Sequence, residues 1–139
     1  MSERTLIFVK PDGVRRGLTG EIIARFERKG LRVVALKMLT FTKELARKHY
    51  DEHVDKPFFP ELEEFVLSGP VAAMVLEGND VITLTRAMIG KTKHTEAAPG
   101  TIRGDFAFST TENLIHGSDS PERAAIEIAN FFTPEEIAK

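Results

Sequence analysis

His116 lies in Asn113-Leu114-Ile115-His116-Gly117-Ser118-Asp119-Ser120-Pro121, between a short apolar run and a helix start. Backbone N–H groups and the positive end of a helix favour an anion at such a place. Histidine is also the side chain that serves as a neutral nucleophile near pH 7 without strong activation. By pattern alone, a structural histidine closing a strand is the simpler reading. Glu127 shifts the balance. On a helix it shares a side with Ala124, Ile128 and Phe131, interrupting an apolar stripe, and a carboxylate there could hold one imidazole nitrogen while the other attacks. A glutamate at the margin of the stripe, reaching into solvent, is the alternative.

Phosphoryl transfer needs positioned cations more than covalent help. Lys10, Arg86 and Arg103 are candidates from three distant segments, each otherwise a surface charge. No G-x-x-x-x-G-K-[ST], G-x-G-x-x-G or G-x-S-x-G sequence occurs, so any phosphate site is built differently from a P-loop or a dinucleotide fold. His49 and His53 have helical metal-ligand spacing around Glu52, but not the H-E-x-x-H order that puts a glutamate on metal-bound water. A metallohydrolase built on this pair is the weakest functional reading.

The elements that must position these groups alternate. Thr5 to Val9 reads as a buried strand, followed by a loop at Lys10-Pro11-Asp12-Gly13. Thr19 is expected to cap a helix with Ile22, Ile23 and Phe26 inward, stopped at Gly30-Leu31. Arg32 to Phe41 suits a second strand, and Thr42 a cap for a helix carrying Ala46, His49, Tyr50 and His53 on one side as far as Pro57. Pro60 opens a short helix with Leu62, Phe65 and Val66 inward, closed by Gly69. Val71 to Leu76 reads as a central strand, and Asn79 or Asp80 as the cap of a helix ending at Gly90. Lys91 to Asn113 shows no period, and a loop of that length in a compact fold tends to be functional. Leu114 to His116 supplies a last strand, and Ser120-Pro121 starts a closing helix with Ala124, Ile128, Phe131 and Phe132 buried. Two β-α-β halves point to a ferredoxin-like βαββαβ sandwich of the α+β class, a four-stranded antiparallel sheet covered by helices, with a long active-site loop.

The 139 residues fit one domain, expected to span 1–139. Hydrophobic residues at 42% and charged residues at 29% give a globular balance. With no cysteine, disulfides, thiolate catalysis and cysteine zinc sites are excluded. The apolar run near the N-terminus is too short for a signal core or a membrane span, which makes a cytoplasmic address the expectation. A net charge of -2 gives generic nucleic-acid binding little support.

NLIHGSDS at 113–120, VKPDGV at 9–14, HY at 49–50, KPFF at 56–59, SGPV at 68–71 and PGTIRGDF at 99–106 together resemble the nucleoside diphosphate kinases, from the first strand to the last helix. The resemblance implies a ping-pong exchange. A nucleoside triphosphate phosphorylates His116 on its pros nitrogen, and the phosphohistidine passes the group to a nucleoside diphosphate. It places Lys10 and Asn113 on sugar hydroxyls and phosphate, Arg86, Thr92 and Arg103 on phosphates, and Tyr50 beside the histidine. Glu127 and Ser118 would orient the imidazole. Phe58 would stack on the base, with Leu62 and Thr110 completing a slot, and stacking reads no base edge, which implies broad base specificity. The resemblance also implies Mg2+ held mainly by the nucleotide rather than by protein ligands, and a homo-oligomer, a hexamer before a tetramer. A nucleotide-binding protein of this fold without turnover is the alternative. Three places depart from the family pattern: Thr110 where an aliphatic residue is common, Lys93-His94 where Asn-Pro is, and Glu112 where a basic or neutral residue is frequent.

Overall fold

The computed structural model describes residues 2–139. Its centre is strand β1 (Ser2–Val9), flanked by β3 (Pro70–Asn79) and by the three-residue β4 (Ile115–Gly117). Strand β2 (Arg32–Thr40) completes a sheet in the order β2-β3-β1-β4, antiparallel throughout, as the ferredoxin-like reading requires.

Side chains of β1 alternate. Ile7 and Val9 enter one apolar cluster with Ile22, Phe26, Val81 and Ile89, whereas Leu6 and Phe8 enter a second with Phe41, Ala46, Val66 and Phe131. Both faces of the sheet are therefore covered, and this is why β1 and β3 read as continuous apolar runs rather than as an inward-outward alternation. Helices α2 (Thr19–Arg28) and α5 (Val81–Ile89) supply the first cluster. Helices α3 (Lys43–His49), α4 (Phe59–Val66) and α7 (Pro121–Phe131) supply the second.

Local signals set several boundaries. Thr42 Oγ1 accepts from Leu45 N at 3.0 Å and Ser120 Oγ from Arg123 N at 3.1 Å, so both expected caps form. At the end of α2 the N–H of Gly30 donates to Glu27 and that of Leu31 to Phe26, with Gly30 at φ +100, the glycine-dependent helix stop expected there.

Other expectations are corrected. Lys10 to Gly13 is not a plain loop, because Pro11 opens the short helix α1 (Pro11–Arg15), where its missing N–H costs nothing. Thr19 caps nothing: it lies inside α2, which follows α1 so closely that Leu18 is itself helical in conformation. Helix α3 stops at His49 and gives way to three successive turns from Tyr50 to Phe59, so His49 and His53 do not share a helix face. Asp80 precedes α5 but has φ 54 and makes no cap; Glu3 of β1 takes that role, its carboxylate accepting from Ile82 N at 3.1 Å. The 91–113 segment contains a 3-10 turn at His94–Glu96 and helix α6 (Ile102–Phe106), too short to show a period. A further 3-10 turn, Pro134–Glu136, follows α7.

Candidate active site

The site begins where the two ends of the chain interlock. Lys10 N–H donates to Leu114 O at 2.7 Å, and Leu114 N–H donates to Asp12 Oδ2 at 3.2 Å. Leu114 is held at φ 77, a left-handed conformation that costs a non-glycine residue of order 1 kcal/mol or more and persists only when its surroundings enforce it. Here α1 enforces it. A Cβ on Gly13 would meet Val9 at 2.7 Å and Leu114 O at 3.2 Å, so only glycine lets α1 press on this corner. Asp12 itself is buried, and burial raises its carboxyl pKa despite the attraction of Lys10.

That corner aims Asn113 and β4. Lys10 Nζ donates to Asn113 Oδ1 at 2.8 Å, and Asn113 Nδ2 reaches Thr92 O at 3.4 Å. Arg103, from α6, donates to three carbonyls: Asn113 O at 3.3 Å, Gly90 O at 3.2 Å and Ile115 O at 2.7 Å. Those three bonds use three of its five N–H groups. Burial lowers the Lys10 pKa to about 7, aided by Arg103, and lowers that of Arg103 to about 10, aided by Arg86. Both cations are short of counter-charge, as a site awaiting a polyanion would be.

His116 is the middle residue of β4. Its Nε2 lies 2.8 Å from Glu127 Oε1, and Ser118 Oγ donates to the same oxygen at 2.7 Å while accepting from Leu6 N at 3.2 Å. A carboxylate acceptor places the ring proton on Nε2 and leaves the Nδ1 lone pair free. The imidazole stacks on Phe8 at 4.9 Å and meets the edge of His49 at 4.5 Å, 83° between planes. Burial lowers the pKa of His116, outweighing Glu127, so the ring is neutral near pH 7. His49 is pushed well below the usual histidine range by burial and by the cations around it, and its Nδ1 is buried without a partner. Burial would raise the Glu127 pKa, but His116, Ser118 and Arg123 together hold it low. The Tyr50 hydroxyl is buried and unpartnered, its pKa raised by burial and by Glu127, so it stays protonated.

A cleft of about 280 Å³ opens over this ring, and Lys10, Tyr50, Arg86, Thr92, Arg103, Asn113 and Glu127 line it with His116. The structure thus brings together most of the residues singled out in the sequence. Ser118 lies behind the cleft, under Glu127. Phe58, Leu62 and Thr110 do not line it. Phe58 is half exposed and packs on His53, a lining residue, at 5.4 Å. Thr110 Oγ1 lies 3.1 Å from His94 Nδ1, so two of the departures from the family pattern touch each other. The third, Glu112, lies 3.9 Å from Arg15. Two groups were missed in the sequence: Asp12 was hidden in a turn signal, while Arg123 stands four residues before Glu127, a helical ion-pair spacing that could have revealed it. His49, read as a metal-ligand candidate with His53, instead meets His116.

The residues with metal-ligand spacing among those described are His49, His116 and Glu127, with ligand atoms within 4.8 Å of one another; His53 is not in the group. Lys10, Arg103 and Arg123 line the same cleft, and Glu127 already bonds His116 and Ser118 through Oε1 and pairs with Arg123 through Oε2, so the surroundings suit an anion better than a chelated cation.

A neutral histidine held by a carboxylate among converging cations, on a ferredoxin-like sheet, is an arrangement with the parts that phosphoryl transfer calls for. Residues 3–137 match the nucleoside diphosphate kinase family profile. The nucleoside diphosphate kinase of Thermus thermophilus is 60% identical over 135 residues, 97% of this chain and 98% of that protein. That of Archaeoglobus fulgidus is 55% identical over 97% of this chain and 89% of its own length. Among solved structures, the Halobacterium salinarum enzyme in complex with CDP superposes with a TM-score of 0.97 at 50% identity, covering 100% of this chain and 93% of that one. The Aquifex aeolicus enzyme gives 0.96 at 48%, covering 99% and 100%. The chain belongs to the nucleoside diphosphate kinase family. No described helix is long and apolar enough to cross a membrane.

Proposed function

We propose that His116 is the nucleophile of this phosphotransferase and that the cleft above it takes nucleoside tri- and diphosphates in turn. The hydrogen bond from Nε2 to Glu127, which leaves Nδ1 free under Lys10, Arg86 and Arg103, carries the reading. In the first half-reaction the Nδ1 lone pair attacks the terminal phosphorus. The bond from phosphorus to the bridging oxygen breaks, and the nucleoside diphosphate leaves with that electron pair. Glu127 stabilises the positive charge that develops on the ring, and Ser118 keeps the carboxylate in place. In the second half-reaction a terminal oxygen of another nucleoside diphosphate attacks the same phosphorus and the N–P bond breaks, restoring His116.

Arg86, Thr92 and Arg103 hold the phosphates, Lys10 and Asn113 span sugar hydroxyls and phosphate, and the protonated Tyr50 hydroxyl lies beside the reacting group. Phe58, with Leu62 and Thr110, stacks on the base at the mouth, which fits its exposed ring and accounts for tolerance of every base. A divalent ion, Mg2+ in this reading, neutralises phosphate charge when bound with the nucleotide. Held mainly by the nucleotide phosphates, it arrives with the substrate in this reading. The reading includes a cytoplasmic address and a homo-oligomer, hexameric rather than tetrameric.

Incubation with γ-labelled nucleoside triphosphate and Mg2+ is expected to leave acid-labile, base-stable phosphate that chases onto an unlike nucleoside diphosphate. His116→Ala is expected to lose all of it. Equal labelling of the alanine variant sinks the mechanism, and tight nucleotide binding without transfer by the parent identifies a binding protein instead.

A further inference from the structure

Glu127 has two carboxylate oxygens, and only Oε1 is committed to the imidazole and to Ser118. A carboxylate fixed at one oxygen can still swing or exchange oxygens, and each departure releases the tautomer of the ring. Oε2 meets Arg123, one turn earlier on α7, whose Nη2 lies 3.4 Å away. The same guanidinium donates to the His49 carbonyl at 3.2 Å and lies 3.7 Å from Asp51. Arg123 therefore ties α7 to the end of α3, where His49 presents its edge to His116. Its side chain is only 22% exposed, against 59% for Asp51, so its bonds face inward.

We infer that Arg123 is a positioning residue for phosphoryl transfer: it fixes the second oxygen of Glu127 and the chain end that carries His49, so that His116 keeps its proton on Nε2 and its lone pair on Nδ1. The inference rests on the reading of His116 as the nucleophile and adds a residue to it. Arg123 needs no contact with substrate for this task, since it acts through Glu127. One planar Nη2 group set between a carboxylate oxygen and a carbonyl, with the rest of the guanidinium toward Asp51, is a geometry that lysine, a single point charge, reproduces only in part.

The test compares the parent with Arg123→Met, which keeps the stem and loses the charge, and with Arg123→Lys. In single-turnover phosphorylation the methionine variant is expected to lose about tenfold in maximal rate, less than the roughly hundredfold of a full ångström misplacement. The half-saturating nucleoside triphosphate concentration is expected to move less than about twofold, the pattern of a group that acts on the chemical step and not on binding. Lysine is expected to recover part of the rate. Carbon and nitrogen NMR shifts of His116 are expected to report the Nε2–H form in the parent, a mixture of tautomers in the methionine variant and an intermediate state with lysine. Unchanged rate with unchanged tautomer overturns the role. So does a rise in half-saturating concentration at constant rate, which makes Arg123 a phosphate contact instead. If the methionine variant does not fold, the lysine variant decides through the same tautomer shifts. A parent that forms no phosphohistidine at all fails the proposed function, an outcome separate from either of these.

Discussion

At the scale of single residues, the site holds cations that the empty protein accommodates at a cost. Lys10 is buried, and its pKa of about 7 lies far below the unfolded value of 10.5. Between those two values the unfolded chain binds more protons than the folded one, so stability rises as pH increases from about 7 toward 10. Thermal unfolding of the nucleotide-free protein at pH 7 and pH 9 is expected to show this rise, and Lys10→Met to flatten it. A parent with no such slope would mean that Lys10 titrates normally. The same shift shapes catalysis. The kcat/KM profile, which reports the free enzyme, is expected to climb through the depressed pKa of His116 on the acid side and to fall near pH 7 as Lys10 loses its proton. The kcat profile is expected to stay level further into alkali, because bound phosphates hold the lysine charged.

At the scale of elements, the corner between α1 and β4 holds His116 in place. Asp12 gives the strained Leu114 its N–H partner, and Lys10 N–H takes its carbonyl. Asp12→Ala leaves a buried N–H unpaired, a loss of about 1–3 kcal/mol, and loosens a conformation that this contact helps to enforce. Urea unfolding is expected to show that loss together with reduced transfer activity, whereas Asp12→Asn, which can still accept, is expected to recover most of the stability. Equal stability of the alanine variant would show that Lys10 alone holds the corner. Elements were legible in the sequence where their signals are local. Thr42 and Ser120 cap by bonding three residues ahead, and Gly30 stops α2 by its own conformational freedom. Asp80 misled because the actual cap, Glu3, arrives from a strand far away in the chain. The same holds within the site: Glu127 stood out as a charge within an apolar stripe, whereas Asp12 and Arg123 looked like an ordinary turn and an ordinary polar face. Leu114, the partner of Asp12, lies in no local window, and for Arg123 only the four-residue spacing to Glu127 was local, its tie to the His49 carbonyl being distant.

At the scale of the whole molecule, strand β2 is an edge of the sheet, and Leu36 and Met38, two apart and so on the same face, are 54% and 55% exposed. Phe108, on the long loop, is 80% exposed. Apolar groups set out this way suit burial between subunits. Sedimentation is expected to give a hexamer and Leu36→Asp to give smaller species; a monomeric parent would remove assembly from the proposed function. The overall architecture was readable because apolar strand runs and helical patterns follow one another along the chain, while the spatial order β2-β3-β1-β4 comes from pairings such as Phe8 with His116 that lie far apart in sequence.

The pairing of β1 with both β3 and β4 also says when the enzyme becomes an enzyme. Phe8 sits opposite His116, and Lys10 is bonded to Asn113 and Leu114, contacts that span more than a hundred residues of the chain. A nascent chain can pair β1 with β3 and bury much of both cores before His116 is in place, and the last loop to close is the longest. Competence therefore comes in a late step over a nearly finished scaffold, set by the docking of a three-residue strand and the helix behind it. Regain of phosphotransfer after dilution from denaturant should lag the return of helical signal, since contacts of such long range form slowly.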